Sequence, residues 1–459
     1  MSLCVPIRKG VAAFGGGALL AASLVPVAQA DPPGGYLVAE ANPVEVAQVG
    51  TIGGGGLQAP PVATGREDVF VKPGRAEEAL ALGDWLLYPT AFGGFIYDTN
   101  VSQSPSPRGS PGIRLSPAIL AENSNDLFKT VLYGNADGRF YFDNIPNEGT
   151  SISARAGGKE TYTPLPDLII NGQADFTRQK DLFSTLGTDQ SVTILNPTGV
   201  GLAPTANPQS YNQFTGAASV QKNFSQAFAT VSASVVDIMY DQNSGGTAPS
   251  PNGVTYTGSL RGGYWIVPVL YGYAEGTLDS RDYATSTLDS SGYRAVVGVG
   301  TDQIGLLRGE IFGGYQDERY STSGLGSTGG PVYGVAGHYY PLPELTVNFS
   351  VDEAIGVSLL AATPTSPTGT STKVDTYLVN ANYALAKDWS ANARAGYIAT
   401  DYIGADRNDQ AWTIGTTGTY NFFRNVGLTL DYQHVKLSSN APLAGFTRDV
   451  VTVGATWRY

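Results

Sequence analysis

The stretch Phe446–Tyr459 reads FTRDVVTVGATWRY. Counting back in twos from Tyr459, the residues Trp457, Ala455, Val453 and Val451 are all apolar, while Arg458, Thr456, Gly454 and Thr452 stand between them. Side chains alternate across a strand, so this stretch is a strand with one apolar and one mostly polar face. Taken alone, it would also suit a half-buried edge strand of a soluble sandwich. The same two-residue period recurs upstream. Phe214, Gly216, Ala218 and Val220 share a face, as do Tyr256 through Ile266 in twos, Leu345 through Val351, Trp389 through Tyr397, Trp412 through Phe422, and Val426 through Tyr432.

In several of these stretches the apolar face is bracketed by aromatics, as with Tyr256/Tyr264, Trp389/Tyr397 and Trp412/Tyr420. That spacing suits a tilted strand crossing an apolar band about 25 Å tall with aromatic girdles at both edges. A soluble sandwich has no reason to repeat it. The composition agrees: 58 glycines and 26 tyrosines with only 14% charged residues fit neither a disordered chain nor a bundle of membrane helices. The sequence therefore predicts an all-β, closed antiparallel transmembrane barrel. In such a barrel Val451, Val453, Trp457 and Tyr459 form the candidate assembly signal for the barrel-assembly machinery, with Tyr459 where a final Phe is usual. The other expected partners are outer-membrane lipid and lipopolysaccharide, and a barrel this wide suits either a monomer or a homo-oligomer.

The start of the chain sets the compartment. Arg8 and Lys9 precede the apolar run Val11 to Leu24, and Ala28-Gln29-Ala30 offers small residues for cleavage, so residues 1–30 read as a secretory signal peptide. Cys4 is the sole cysteine and precedes the apolar run, so it is not placed for lipid attachment. The net charge of −12 argues against nucleic-acid binding. Residues 31–84, rich in Pro and Gly, read as a flexible periplasmic extension, either a linker or a plug, with a short helix around Arg75 to Leu82 as an option.

Tight turns are expected near Glu122–Asp126, Pro164–Asp167, Asn223–Ser225, Ile266–Pro268, Asp302–Gly305, Pro341–Glu344, Ala386–Asp388 and Phe423–Asn425. Long polar segments separate them. Short turns belong on the periplasmic side and long loops outside, which gives about 18 strands with both termini periplasmic. Sixteen is the runner-up, at roughly two strands fewer, because Tyr133 to Asp175 is irregular. The longest connection, Gln179 to Tyr211, would serve either as a luminal constriction or as an external loop.

The first strand carries Leu86-Leu87-Tyr88-Pro89 at its entry and Tyr97-Asp98-Thr99-Asn100-Val101 at its exit. In these motifs, and in character over residues 85–459, the chain resembles a family of β-barrel porins of alpha-proteobacterial outer membranes, often associated with exopolysaccharide loci. The resemblance implies a pore and a role near envelope export.

Catalysis in such a barrel would need a histidine beside an acid and a nucleophile. Only His338 and His434 exist, and no such set is evident in sequence, so no enzyme is expected. No cofactor is expected. Asp401, Asp406 and Asp409 could hold Ca²⁺ in an outer loop, although a solvated acidic loop explains their irregular spacing as well. Alternation turns Arg261, Arg294, Arg308, Glu310, Asp352, Arg394, Asp431 and Arg448 inward. An Arg facing lipid near the midplane would cost about 2–4 kcal/mol, so these residues are the candidate pore lining. Five arginines against three acids suggest passage of small polar or anionic solutes. Salt-bridged ladders that stiffen the wall without selecting anything are the alternative, as is a structural or surface-display barrel with a plugged lumen.

Overall fold

The computed structural model describes residues 38–39, 73–74, 79–143, 150–179, 200–201, 210–241, 252–284, 289–321, 326–358, 371–386, 388–404, 406–441 and 445–459. The expected leader and the interiors of several long connections lie outside the described residues. One 20-stranded sheet contains two very short members, Leu80–Leu82 and Val200–Gly201, and a ring of eighteen longer ones. Along the chain these are β1 (Trp85–Asp98), β2 (Ser110–Ser124), β3 (Phe128–Tyr141), β4 (Thr150–Leu165), β5 (Leu168–Gln179) and β6 (Tyr211–Asn223). Then come β7 (Ala227–Tyr240), β8 (Gly253–Val267), β9 (Leu270–Tyr283), β10 (Ser290–Ile304), β11 (Leu307–Tyr320) and β12 (Ser327–Leu342). The last six are β13 (Leu345–Ser358), β14 (Ser371–Ala386), β15 (Trp389–Tyr402), β16 (Asn408–Asn421), β17 (Val426–Ser439) and β18 (Phe446–Arg458). No helix occurs among the described residues.

Each strand pairs antiparallel with the next, and β18 returns to β1 from Val450↔Asp98 to Arg458↔Thr90. The ring is thereby closed, and no edge is left open to another chain. Tight turns join β2 to β3, β4 to β5 and every second pair onward, each within a few residues of its expected place. The first illustrates how: Asn125 Oδ1 accepts from the backbone N–H of Leu127 and Phe128, an Asx turn. The β10–β11 turn needs φ +61° at residue 305, which Gly305 supplies without strain.

Three expectations are refined. The stretch from Tyr133 to Asp175 forms regular paired strands, so the count is eighteen and not sixteen. Leu80–Leu82 is a strand folded back on Leu87 to Trp85 rather than part of a helix. Of the Gln179–Tyr211 connection, Val200–Gly201 is described, and it pairs parallel with Val357–Ser358 of β13, eight strands round the ring from β5. It finds room there because β12 stops pairing with β13 at Gly334↔Asp352.

Candidate functional site

The two faces of the wall differ in kind. Outside, large apolar side chains stand exposed, such as Phe95 at 71% and Leu260, Val297 and Leu430. Aromatics border them in two rows. On the loop side, Tyr377, Tyr397 and Trp412 form a row, with ring centroids 5.9 and 4.4 Å apart. On the tight-turn side, Trp389 meets Tyr420 at 4.6 Å and Phe128 stacks on Tyr162 at 4.5 Å. Val451, Val453, Trp457 and Tyr459 all lie on this outer face.

The first-strand motifs meet at the seam between first and last strands. Asp98, 0% exposed, accepts from Arg448 Nη2 at 2.6 Å, from the Tyr141 hydroxyl at 2.9 Å and from the Asn100 backbone N–H at 2.9 Å. Asn100 donates from Nδ2 to the carbonyl of Thr447 at 3.0 Å and to that of Ser104 at 2.8 Å. Val101 packs against Ile96, Tyr141 and Val450. The Tyr97–Val101 motif therefore latches β1 to β18 at the loop end. At the other end Tyr459 donates its backbone N–H to the carbonyl of Pro89 at 3.2 Å.

All eight candidate lining residues face inward, and each lies in an ion pair. Arg261 bridges Glu275 (Nε to Oε2, 2.5 Å) and Glu310 (Nη1 to Oε2, 3.1 Å). Arg294 Nη2 lies 3.6 Å from Asp352 Oδ1, and Arg308 Nε 4.0 Å from Asp302 Oδ1. Arg394 donates to Asp431 at 2.7 Å, an acid that also accepts from Thr417 at 2.6 Å. Arg448 is held by Asp98. Further pairs that the sequence reading missed repeat the pattern: Arg114 and Arg139 on Asp137, Arg155 on Asp175, and Arg281 between Asp279 and Glu318. Several reach two or three strands sideways, which is why strand-by-strand reading could not pair them.

Aromatics on this inner wall lie over glycines. Phe228 is opposite Gly263, Tyr273 opposite Gly298, Tyr271 opposite Gly300 and Phe312 opposite Gly334. A Cβ at any of these glycines would collide with the opposing ring. The glycines let the rings lie flat on the wall, the cross-strand arrangement that covers exposed glycine backbone. Phe228, Tyr271, Tyr273 and Phe312 form one buried cluster with Val296 and Val332, and the Arg261 guanidinium sits 4.1 Å from the Tyr273 ring centroid.

The wall of β5 to β7 is different. Its inward residues include Asn171, Gln173, Ser219, Gln221, Thr230 and Ser232, polar but uncharged. Outside the wall, in the β4–β5 turn, Asp167 accepts a hydrogen bond from the Lys222 ammonium, which holds its carboxyl below the usual range.

His338 faces inward near the tight turns, with Nδ1 2.7 Å from Asn348 Oδ1. His434 lies on the outer face and does have an acid beside it, Asp449 at 2.8 Å, which also accepts from Tyr432. Of the loop acids, Asp409 is bound by Arg407 and Tyr402, and Asp401 accepts from Asn408. Among the described residues no three metal-ligating side chains cluster.

A closed barrel that is apolar outside and ion-paired inside is the architecture of an outer-membrane transport barrel. The chain belongs to the family described as "Putative beta-barrel porin 2", whose model matches residues 78–459. No curated protein matches it. Among solved structures it is similar to the siderophore receptor PirA from Acinetobacter baumannii (6% identity, TM-score 0.39, 81% of this chain and 80% of that chain). It is also similar to an anion-selective porin from Comamonas acidovorans (13% identity, TM-score 0.34, 82% of this chain and 99% of that chain). Likeness this loose bears on neither cargo nor mechanism. The family and the fold indicate a transport channel of the outer membrane rather than an enzyme.

Proposed function

We propose that the barrel is a passive channel for small polar solutes, with the tight turns and the barrel's two termini toward the periplasm. The observation that carries this is the polarity of the inner wall in a ring of eighteen strands. Barrels of about 16 to 18 strands leave an aqueous lumen. Short turns on one side and long connections on the other favour the stated orientation. The anion preference expected from five arginines loses its support, because each of them is matched to a carboxylate. In this reading the pairs brace the wall. The resemblance to porins associated with exopolysaccharide loci makes short envelope oligosaccharides the first solutes to try.

Export by cleavage of a leader after Ala30 and recognition of the terminal strand complete the proposal, and N-terminal sequencing of the protein from outer membranes tests the first. Conductance in planar bilayers tests the channel: discrete open steps are expected, and silence from correctly folded protein would overturn it. Silence would move the reading to a plugged structural or display barrel, which the pairing of Val200–Gly201 with β13 favours.

A further inference from the structure

Three inward residues near the tight-turn end remain outside the ion-pair network. Lys129, the second residue of β3, is opposite Thr161 of β4, and Lys159 of β4 is opposite Val131 of β3. The two lysines are thus diagonal neighbours on one face, a relation that leaves Cβ atoms about 7 Å apart or less. Their parity is that of Tyr133, Arg155 and Asp175, which meet inside the barrel, so both ammonium groups face the lumen. Among the described residues neither makes an ion pair. By register the nearest acids are Glu122, diagonal to Lys129, and Asp175, diagonal to Lys159; Asp175 is taken up by Arg155, Tyr133 and Thr177, and neither acid forms a salt bridge with the lysines.

Gln173 of β5 is paired directly with Lys159. It is 7% exposed, and neither its Nε2 nor its Oε1 has a hydrogen-bond partner. A buried carboxamide with both ends unused is costly, and such groups are normally satisfied by water or a ligand. Its other neighbour, Ala217, offers no polar side chain. Two uncompensated cations beside an unused N–H donor form the complement of a small oxyanion, and nothing else on the described inner wall combines them.

We propose that Lys129, Lys159 and Gln173 form a luminal binding site for a small oxyanion, phosphate or a carboxylate, at the tight-turn mouth. The lysines supply charge, and the Gln173 amide donates a directional hydrogen bond to one oxygen. The site rests on the reading of the lumen as solvent-filled. It gives the channel a local anion preference that the arginines, being paired, do not.

The test is isothermal titration of detergent-extracted, folded protein with inorganic phosphate, and separately with acetate to compare the two sources. One saturable site is expected. Lys129→Gln/Lys159→Gln should weaken it at least tenfold and Gln173→Leu severalfold, while Lys222→Gln, which removes one lysine charge outside the lumen, should leave it unchanged. Gln173→Leu keeps the test usable if the double variant fails to fold. Absence of saturable binding to either anion, or equal binding by the double variant and the parent, would overturn the proposal. The titration needs no open pore: binding without conductance would sink the channel reading and spare the site, and conductance without binding would do the reverse.

Discussion

Two regions of the inner wall solve the same problem differently. From β8 to β13 it carries Arg261, Arg281, Arg294 and Arg308, each against a carboxylate, with aromatic rings laid flat over glycines. From β5 to β7 it is lined mainly by neutral amides and hydroxyls, with the Asp175 carboxylate held by Arg155 of β4, and it is bordered by the unpaired Lys129 and Lys159. In the first region each of these arginines lies within 4.0 Å of a carboxylate, which offsets its charge locally. Beside the second, two lysines lack a carboxylate partner, and that is where the proposed anion site lies. The difference teaches that the number of luminal charges is a poor guide to selectivity; what counts is which of them lack a partner.

The seam between β18 and β1, ion-paired like β8 to β13, gives the largest test of charge pairing. Asp98→Ala takes from Arg448, 4% exposed, the carboxylate at 2.6 Å, and breaking a buried pair in this way costs about 3–5 kcal/mol. A large drop in the urea midpoint of the folded barrel is the expected result, and an unchanged midpoint would mean that the latch does not close the ring. Next comes the ring-on-glycine packing. Gly263→Val drives a side chain into Phe228 and should cost about 1–3 kcal/mol. Gly258→Ala, with nothing within 4 Å of the added atom, should stay within about 0.5 kcal/mol. If both behave alike, the aromatics do not depend on the glycines.

Selectivity sharpens the comparison further. Glu310→Gln leaves Arg261 with Glu275 alone, so the reversal potential under a salt gradient should shift toward anions. An unmoved potential would place that region of the wall out of reach of permeating ions. The smallest effect is expected outside the lumen: Lys222→Gln breaks an exposed pair with Asp167 and should change stability by less than about 1 kcal/mol.

Sequence alone determined the barrel because its information is local. A two-residue period, aromatics at the ends of the apolar face and turn residues between strands each span only a dozen or so positions, and they gave the closed barrel, a count of about eighteen with sixteen open, and the parity of the candidate lining residues, Arg394 and Asp431 included. Turn chemistry at Asn125 and Gly305 was equally readable. Only the tertiary structure decided which inward residues meet. Arg261 and Glu310 sit three strands apart, Asp98 and Arg448 are 350 residues apart in sequence, and Gly300 comes under Tyr271 only through register. Lys129 and Lys159 escaped notice because nothing in the sequence marks a charge as unpaired. Pairing depends on the curvature of the closed ring and on the relative shift of neighbouring strands, and neither is written in the alternation of a single strand.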